Sequence, residues 1–118
     1  MRTIILAAAG ALLAMAPVAT AMAHHGWSSY DATQVLEVKA ALSDLEWANP
    51  HATAKVMWQG AIWDVILAPV SRMEARGLSK DMMDKGQTVT LIGYPRTDGT
   101  REMRIERIIV GDKTVELR

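Results

Sequence analysis

The three histidines are the side chains in this sequence best suited to chemistry. His24 and His25 are adjacent and directly follow an apolar leader, whereas His51 follows the turn signal Asn49-Pro50. Nitrogen-rich, nearly planar sites favour Cu(II) over other divalent ions, so these imidazoles are candidate copper ligands. The Asn49-Pro50 turn favours His51 as a ligand, because a rigid turn would hold its imidazole in the fixed geometry that a metal site needs. A copper site built from His24, His25 and His51 is therefore the leading hypothesis.

The first 23 residues have the layout of a secretory signal peptide. Arg2 supplies a positive start, residues 4–15 form an apolar run, and small residues follow Pro17. The alternative is a membrane anchor, but the run is shorter than the roughly 20 residues that a spanning helix needs. We therefore predict a signal peptide over residues 1–23, no membrane span after its removal, and a soluble periplasmic or secreted protein.

The cleavage position decides how the histidines would bind copper. A cut after Ala23 makes His24 the first residue, so that its free amine and imidazole chelate one ion together. A third nitrogen then comes from His25 or His51. A cut after Ala21 makes His24 the third residue, and the amine, two backbone amides and the imidazole form a square-planar site. The competing interpretation is a polar tail, because chain ends are usually poorly ordered.

Other polar and sulfur-containing residues are candidates to support such a site. Asp31 and Glu46 would accept a hydrogen bond from a ligand imidazole, which orients the ring. Sulfur from methionine would suit Cu(I), although methionine more often fills a core. The supporting candidates are Asp31, Glu46 and Asn49, and the sulfur candidates are Met82, Met83 and Met103.

Tryptophans suggest a second function from a different class. Trp47, Trp58 and Trp63 fall on neighbouring predicted strands, and a shared exposed face would bind a sugar or a partner's side chain. The alternative is that they form the core, which the absence of phenylalanine favours. With Trp27 added, this face would make the protein an accessory module of a larger periplasmic or membrane enzyme.

Alternating apolar residues predict a mostly β domain. The alternation of residues 36–42 slips by one near Ser43-Asp44, which indicates a bulge in a bent strand. Pro69 and Gly77 bound a short helix after the third strand. The order predicts a small five-stranded OB-like Greek-key barrel with one short helix between strands 3 and 4. An open sandwich with the helix over one end is the alternative.

We place the domain at residues 34–118, preceded by an extended arm over residues 24–33. Cysteine is absent, so no disulfide stabilises this domain. The formal net charge of zero indicates no nucleic-acid partner. The sequence also lacks the nucleophile, phosphate-loop and dinucleotide motifs of common enzymes. These features favour a binding protein, for a metal ion or another periplasmic protein, over an enzyme.

Three segments carry a resemblance to a known family: "HHGWSSYD", "LEWANPHA" and "GYPRTDG". Together they resemble a family of small secreted bacterial proteins catalogued as a domain of unknown function. The resemblance spans nearly the whole mature chain. Ala40 departs from a position where relatives often have glycine, and Gly26-Trp27 replaces a more usual Ser-aromatic pair. The resemblance supports the boundaries and the histidines but implies no reaction.

Overall fold

Residues 26–118 are described by a computed structural model. The predicted signal peptide, His24 and His25 lie outside these residues. Within them the chain forms one short α-helix, α1 (Val70–Ala75), and short 3₁₀ turns at Trp27–Ser29 and Lys80–Met82. The strands of the same region are β1 (Leu36–Ala41), β2 (Ser43–Glu46), β3 (Thr53–Trp58), β4 (Ala61–Ile66), β5 (Thr88–Pro95), β6 (Glu102–Val110) and β7 (Lys113–Glu116). The prediction of a mostly β fold with one short helix is confirmed.

All the strands belong to one curled sheet. Its order is β1-β5-β6-β4-β3-β2, and β7 pairs with β6 outside this path. The neighbours are antiparallel except β4 and β6, which run parallel. The first and last strands of this order, β1 and β2, are consecutive in the chain and separated only by Leu42. Because β1 also lies against β3, the sheet bends back towards itself.

The prediction of five strands is wrong for the described residues, which contain seven. One reason is the predicted bulge, because the pairing of β2 with β3 shifts register between Ser43 and Glu46. Asp44 lies there at φ 49°, a left-handed conformation that ends the regular pairing. The other reason is β7, which forms a separate short hairpin with the end of β6.

Turn chemistry explains the connections on either side of β4. Gln59 and Gly60 have φ of 51° and 77°, the conformation that a tight two-residue hairpin needs between β3 and β4. α1 begins directly after Pro69, and Gly77, at φ 89°, ends the helical segment that contains α1. No helix in residues 26–118 is long and apolar enough to cross a membrane.

Aliphatic side chains and methionines fill the core in place of phenylalanine. Met83 and Met103 are completely buried, as core filling predicts for these flexible side chains. Trp47, Trp58 and Trp63 are half-buried and pack against the core edge. The largest fully buried side chains are Leu67, Met73, Leu78, Met83, Leu91, Met103, Ile105, Ile108, Leu117, Val38, Val56 and Val65.

One close backbone approach fixes the contact between β5 and β6. Gly93 pairs with Ile105, and the register shifts beside it, which leaves Glu106 as an extra residue in β6. A Cβ atom at Gly93 would lie 2.1 Å from the carbonyl oxygen of Arg104. Glycine is therefore required for this approach, which sets the position of Arg104 in the sheet.

Candidate functional site

The described part of the predicted N-terminal arm is docked onto the sheet. Tyr30 forms a β-bridge with Arg96, and the backbone N–H of Asp31 donates to the carbonyl of Pro95 at 2.8 Å. The Tyr30 side chain is only 7% exposed, so the arm contributes to the packed structure. Residues 26–29, which precede Tyr30, therefore lie at the end of β5.

A buried phenol anchors this arm. The Tyr30 hydroxyl donates to Oε2 of Glu102 at 2.5 Å, and Nη1 of Arg96 lies 3.3 Å from the same oxygen. Burial, followed by the hydrogen bond to the Glu102 carboxylate, raises the pKa of Tyr30 to about 12. The phenol is therefore protonated at neutral pH and remains a hydrogen-bond donor.

Trp27 gives the arm a second anchor. Two guanidinium groups contact its ring, with the Cζ of Arg104 at 4.5 Å and that of Arg118 at 4.6 Å from the ring centroid. The ring of Tyr94 meets it edge-on at 6.2 Å. Cation–π contacts of this kind stabilise by about 0.5–2 kcal/mol, more when solvent is excluded. These contacts hold Trp27, which lies two positions after His25 in the sequence.

Arg104 also contacts the candidate ligand His51. Its Nη2 lies 3.1 Å from Nε2 of His51, and its side chain is buried, with 5% exposure. Burial lowers the pKa of this guanidinium, and the charges of Arg72 and Arg118 act in the same direction. Arginine remains charged and only donates hydrogen bonds, so Nε2 of His51 is the acceptor. A neutral His51 in this bond carries its proton on Nδ1.

The three motif segments noted in the sequence meet around this arginine. Trp27 from the first segment and His51 from the second contact the same guanidinium, and Tyr94 from the third contacts Trp27. The sequence interpretation missed Arg104 because arginine at a polar position of an alternating strand is normally solvent-exposed. No signal in the sequence marks its burial.

The predicted supporting residues have different surroundings. Asp31 accepts hydrogen bonds from Thr33 and Gln34 within its own turn, and these bonds lower the pKa of its carboxyl. Asn49 is exposed two residues before His51, and Glu46 is exposed at the end of β2. Their support of a metal ligand remains a prediction.

Carboxylates also line a groove of about 210 Å³ across β2, β3 and β4. Lys55 and Asp64 form an ion pair at 2.6 Å in this groove. Across residues 26–118, no group of three or more histidine, cysteine or acidic side chains is arranged to hold a metal ion. The lining residues are Asp44, Glu46, Thr53, Ala54, Lys55, Asp64, Ile66 and Glu102.

The four tryptophans have different neighbours. Trp58 and Trp63 are in edge-to-face contact at 5.3 Å on the hairpin of β3 and β4. Nε1 of Trp47 donates to Glu74 of α1 at 3.4 Å, whereas Trp27 contacts Arg104 and Tyr94. The clearest exposed apolar pair is instead formed by the cross-strand neighbours Met57 and Ile62, at 62% and 57% exposure.

The fold and site define a small β protein with a docked N-terminal arm and a basic, aromatic cluster beside His51. Comparison with protein families matches residues 11–104 to a family of unknown function (DUF6152). The match covers more than half of the chain, which therefore belongs to this family. It confirms the resemblance to a small domain of unknown function, and the family's description assigns no activity. Comparison with curated proteins gives no match.

Proposed function

We propose that this protein is a periplasmic or secreted copper-binding protein in which His24, His25 and His51 supply ligands. The supporting observation is that one guanidinium, that of Arg104, contacts both Trp27 and His51. His24 precedes Trp27 by three residues, and three residues of extended chain span at most about 11 Å. A mature chain that begins at His24 would have its amine within this chain length of Trp27, whose partner Arg104 also contacts His51.

Removal of the signal peptide is a necessary step in this proposal. Before cleavage the backbone nitrogen of His24 is bonded to Ala23, so His24 has no free α-amine. Cleavage before His24 or Met22 creates an amine that chelates copper together with the His24 imidazole. Nitrogen ligands in this number favour Cu(II) among the divalent ions. His51 would then add a ligand from the folded domain.

Native mass spectrometry of the exported protein tests the proposal. The mature protein is mixed with one equivalent of Cu(II) and then with a weak competing chelator. We expect one retained copper, which is lost on deletion of His24 and His25 and weakened by His51→Ala. Asp44→Asn is the matched control, because it removes a groove carboxylate without touching the proposed ligands. Unchanged affinity in both histidine variants would refute the proposal.

A protein-interaction module is the second candidate function. The exposed pair of Met57 and Ile62 supports it, since neighbouring exposed apolar side chains often mark a protein interface. The balanced formal charge favours an apolar contact with the partner. A periplasmic pull-down is expected to recover a stoichiometric partner that the double variant Met57→Ser, Ile62→Ser loses. Recovery of no such partner would count against this function.

We also infer that the sheet is a variant of the OB-type Greek-key barrel. The parallel pairing of β4 with β6 and the position of α1 between β4 and β5 support this assignment. In this interpretation β1 and β2 together form the first strand of the barrel, and β7 is an addition. An experimental structure in which β1 stays apart from β3 would contradict it.

A further inference from the structure

The hairpin between β3 and β4 extends beyond the strands on either side of it. The pairing of β3 with β2 reaches only as far as Lys55, and the pairing of β4 with β6 begins at Asp64. Among the described residues, the segment 56–63 therefore has sheet pairing only within itself, as a two-stranded ribbon. We name this segment the hairpin tip.

The hairpin tip carries no charged side chain and presents apolar side chains on both faces. Met57 and Ile62 lie directly opposite each other on one face, at 62% and 57% exposure. On the other face Trp58 and Trp63 are in edge-to-face contact and partly exposed. A protein or sugar surface would cover one face of such a ribbon, whereas a lipid bilayer surrounds both faces at once. The two-sided distribution therefore favours lipid.

We propose that the hairpin tip binds a lipid bilayer by inserting into the interfacial region, where the headgroups meet the acyl chains. The lipid needs no negative charge, because the chain has a formal net charge of zero and the tip carries none. Tryptophan favours this region because its ring is apolar and its indole N–H is polar. This binding is independent of the copper site proposed above, and it uses Met57 and Ile62 for lipid rather than for a protein partner.

The ion pair of Lys55 and Asp64 sets the depth of insertion. These residues form the next cross-strand pair on the face of Met57 and Ile62, and their charged groups are 2.6 Å apart. The tip contains three cross-strand pairs, which at about 3.4 Å per residue extend about 10 Å. Interfacial helices bury their apolar face about 5–10 Å deep in a bilayer. The tip is thus long enough for the interface, and the charged pair is expected to remain among the headgroups.

Backbone groups along the edges of the tip limit how deep it enters. A two-stranded ribbon has N–H and C=O groups on its outer edges that the other strand of the ribbon cannot pair. These groups are costly in hydrocarbon, whereas water and headgroups satisfy them at the interface. We therefore expect shallow, peripheral binding.

Co-sedimentation with phosphatidylcholine vesicles tests the proposal. The exported protein is used, so that an uncleaved apolar leader does not itself bind lipid. We expect the wild type to sediment with the vesicles. The double variant Met57→Ser, Ile62→Ser should partition about tenfold more weakly, because two apolar side chains no longer leave water. Val35→Ser is the matched control, because Val35 is 63% exposed but lies outside the hairpin tip, and it should leave binding unchanged.

A conservative double variant separates lipid from a shaped protein contact. Met57→Leu, Ile62→Leu should retain vesicle binding, since a bilayer requires apolar area but no particular shape. Equal binding by the wild type and the serine variant would overturn the proposal, as would a wild type that does not bind vesicles. In that second case, loss of a periplasmic partner or of a dimer in the serine variant would assign Met57 and Ile62 to a protein contact.

Quenching by brominated phosphatidylcholine measures the depth without changing Met57 or Ile62. Bromines near the top of the acyl chains should quench tryptophan fluorescence more strongly than bromines near the bilayer centre. The quenched fraction should disappear in the double variant Trp58→Phe, Trp63→Phe and persist in Trp47→Phe. Quenching that persists without Trp58 and Trp63 would assign lipid contact to another part of the protein and refute the role of the hairpin tip.

Discussion

Gly93→Ala tests the close approach that positions Arg104 in the sheet. The added Cβ would lie 2.1 Å from the Arg104 carbonyl oxygen, and 2.9 Å from both the Arg104 carbonyl carbon and the Ile105 Cα. All three atoms belong to the backbone, so no side-chain rotation relieves the overlap. The two strands must separate, which weakens the hydrogen bonds between β5 and β6.

The size of the effect follows from this overlap. Ordinary van der Waals contact begins near 3.4 Å, so the strands must move apart by about 1.3 Å at Gly93. Overpacking a well-packed core typically costs 1–3 kcal/mol, and a backbone clash belongs at the upper end, about 3 kcal/mol. For a domain of this size the melting temperature would fall by about 12–24 °C.

Thermal and urea unfolding, followed by circular dichroism, measure this loss. Gly99→Ala is the control, because Gly99 has φ 84° with no atom within 4 Å of the added Cβ. Its left-handed conformation costs alanine about 1 kcal/mol, without a clash. A loss at Gly93 no larger than that at Gly99 would refute the packing argument.

Three other predictions concern the arm and the core. Tyr30→Phe should lower the free energy of unfolding by about 1.5–3 kcal/mol in urea titrations, because it removes a buried donor to the Glu102 carboxylate; a loss below about 0.5 kcal/mol would contradict this role. Because the pKa of Tyr30 rises from 10.0 to about 12 on folding, its stabilisation is complete below pH 10 and is lost as the pH rises through about 12. The stability difference between wild type and Tyr30→Phe should therefore shrink across that range, and a constant difference would contradict the pKa shift. Met73→Ala should lower the free energy of unfolding by about 2–5 kcal/mol, because Met73 is completely buried. Met57→Ala is the control at an exposed position and should lower it by less than about 0.5 kcal/mol. Similar losses in the two variants would refute the core assignment.

Local patterns were sufficient to predict most elements. Period-two alternation located the strands. The pair Gln59-Gly60 is also typical of a hairpin turn, because few residue pairs tolerate two positive φ angles. Residues 61–67 are apolar on both faces, a pattern typical of a central strand, and β4 lies between β3 and β6. Pro69 and Gly77 similarly predicted where the helical segment begins and ends.

The strand count and the geometry of the site were harder to predict from the sequence. The sequence predicted a bulge near Asp44, but the bulge also divides one bent strand into β1 and β2. That division depends on which partner each half finds, β5 for one and β3 for the other. Pairing partners are long-range contacts, and alternation in one segment does not encode them.

The sequence by itself determined the residue types for chemistry, the apolar leader and the approximate strand positions, because each depends only on the local order and spacing of residues. Tertiary structure decided that the arm docks and that Trp27, His51 and Arg104 meet. These residues are 77 positions apart at the extremes, and only the curled sheet brings them together. Burial of Arg104 followed from the same packing, since its strand position alone predicts a solvated side chain.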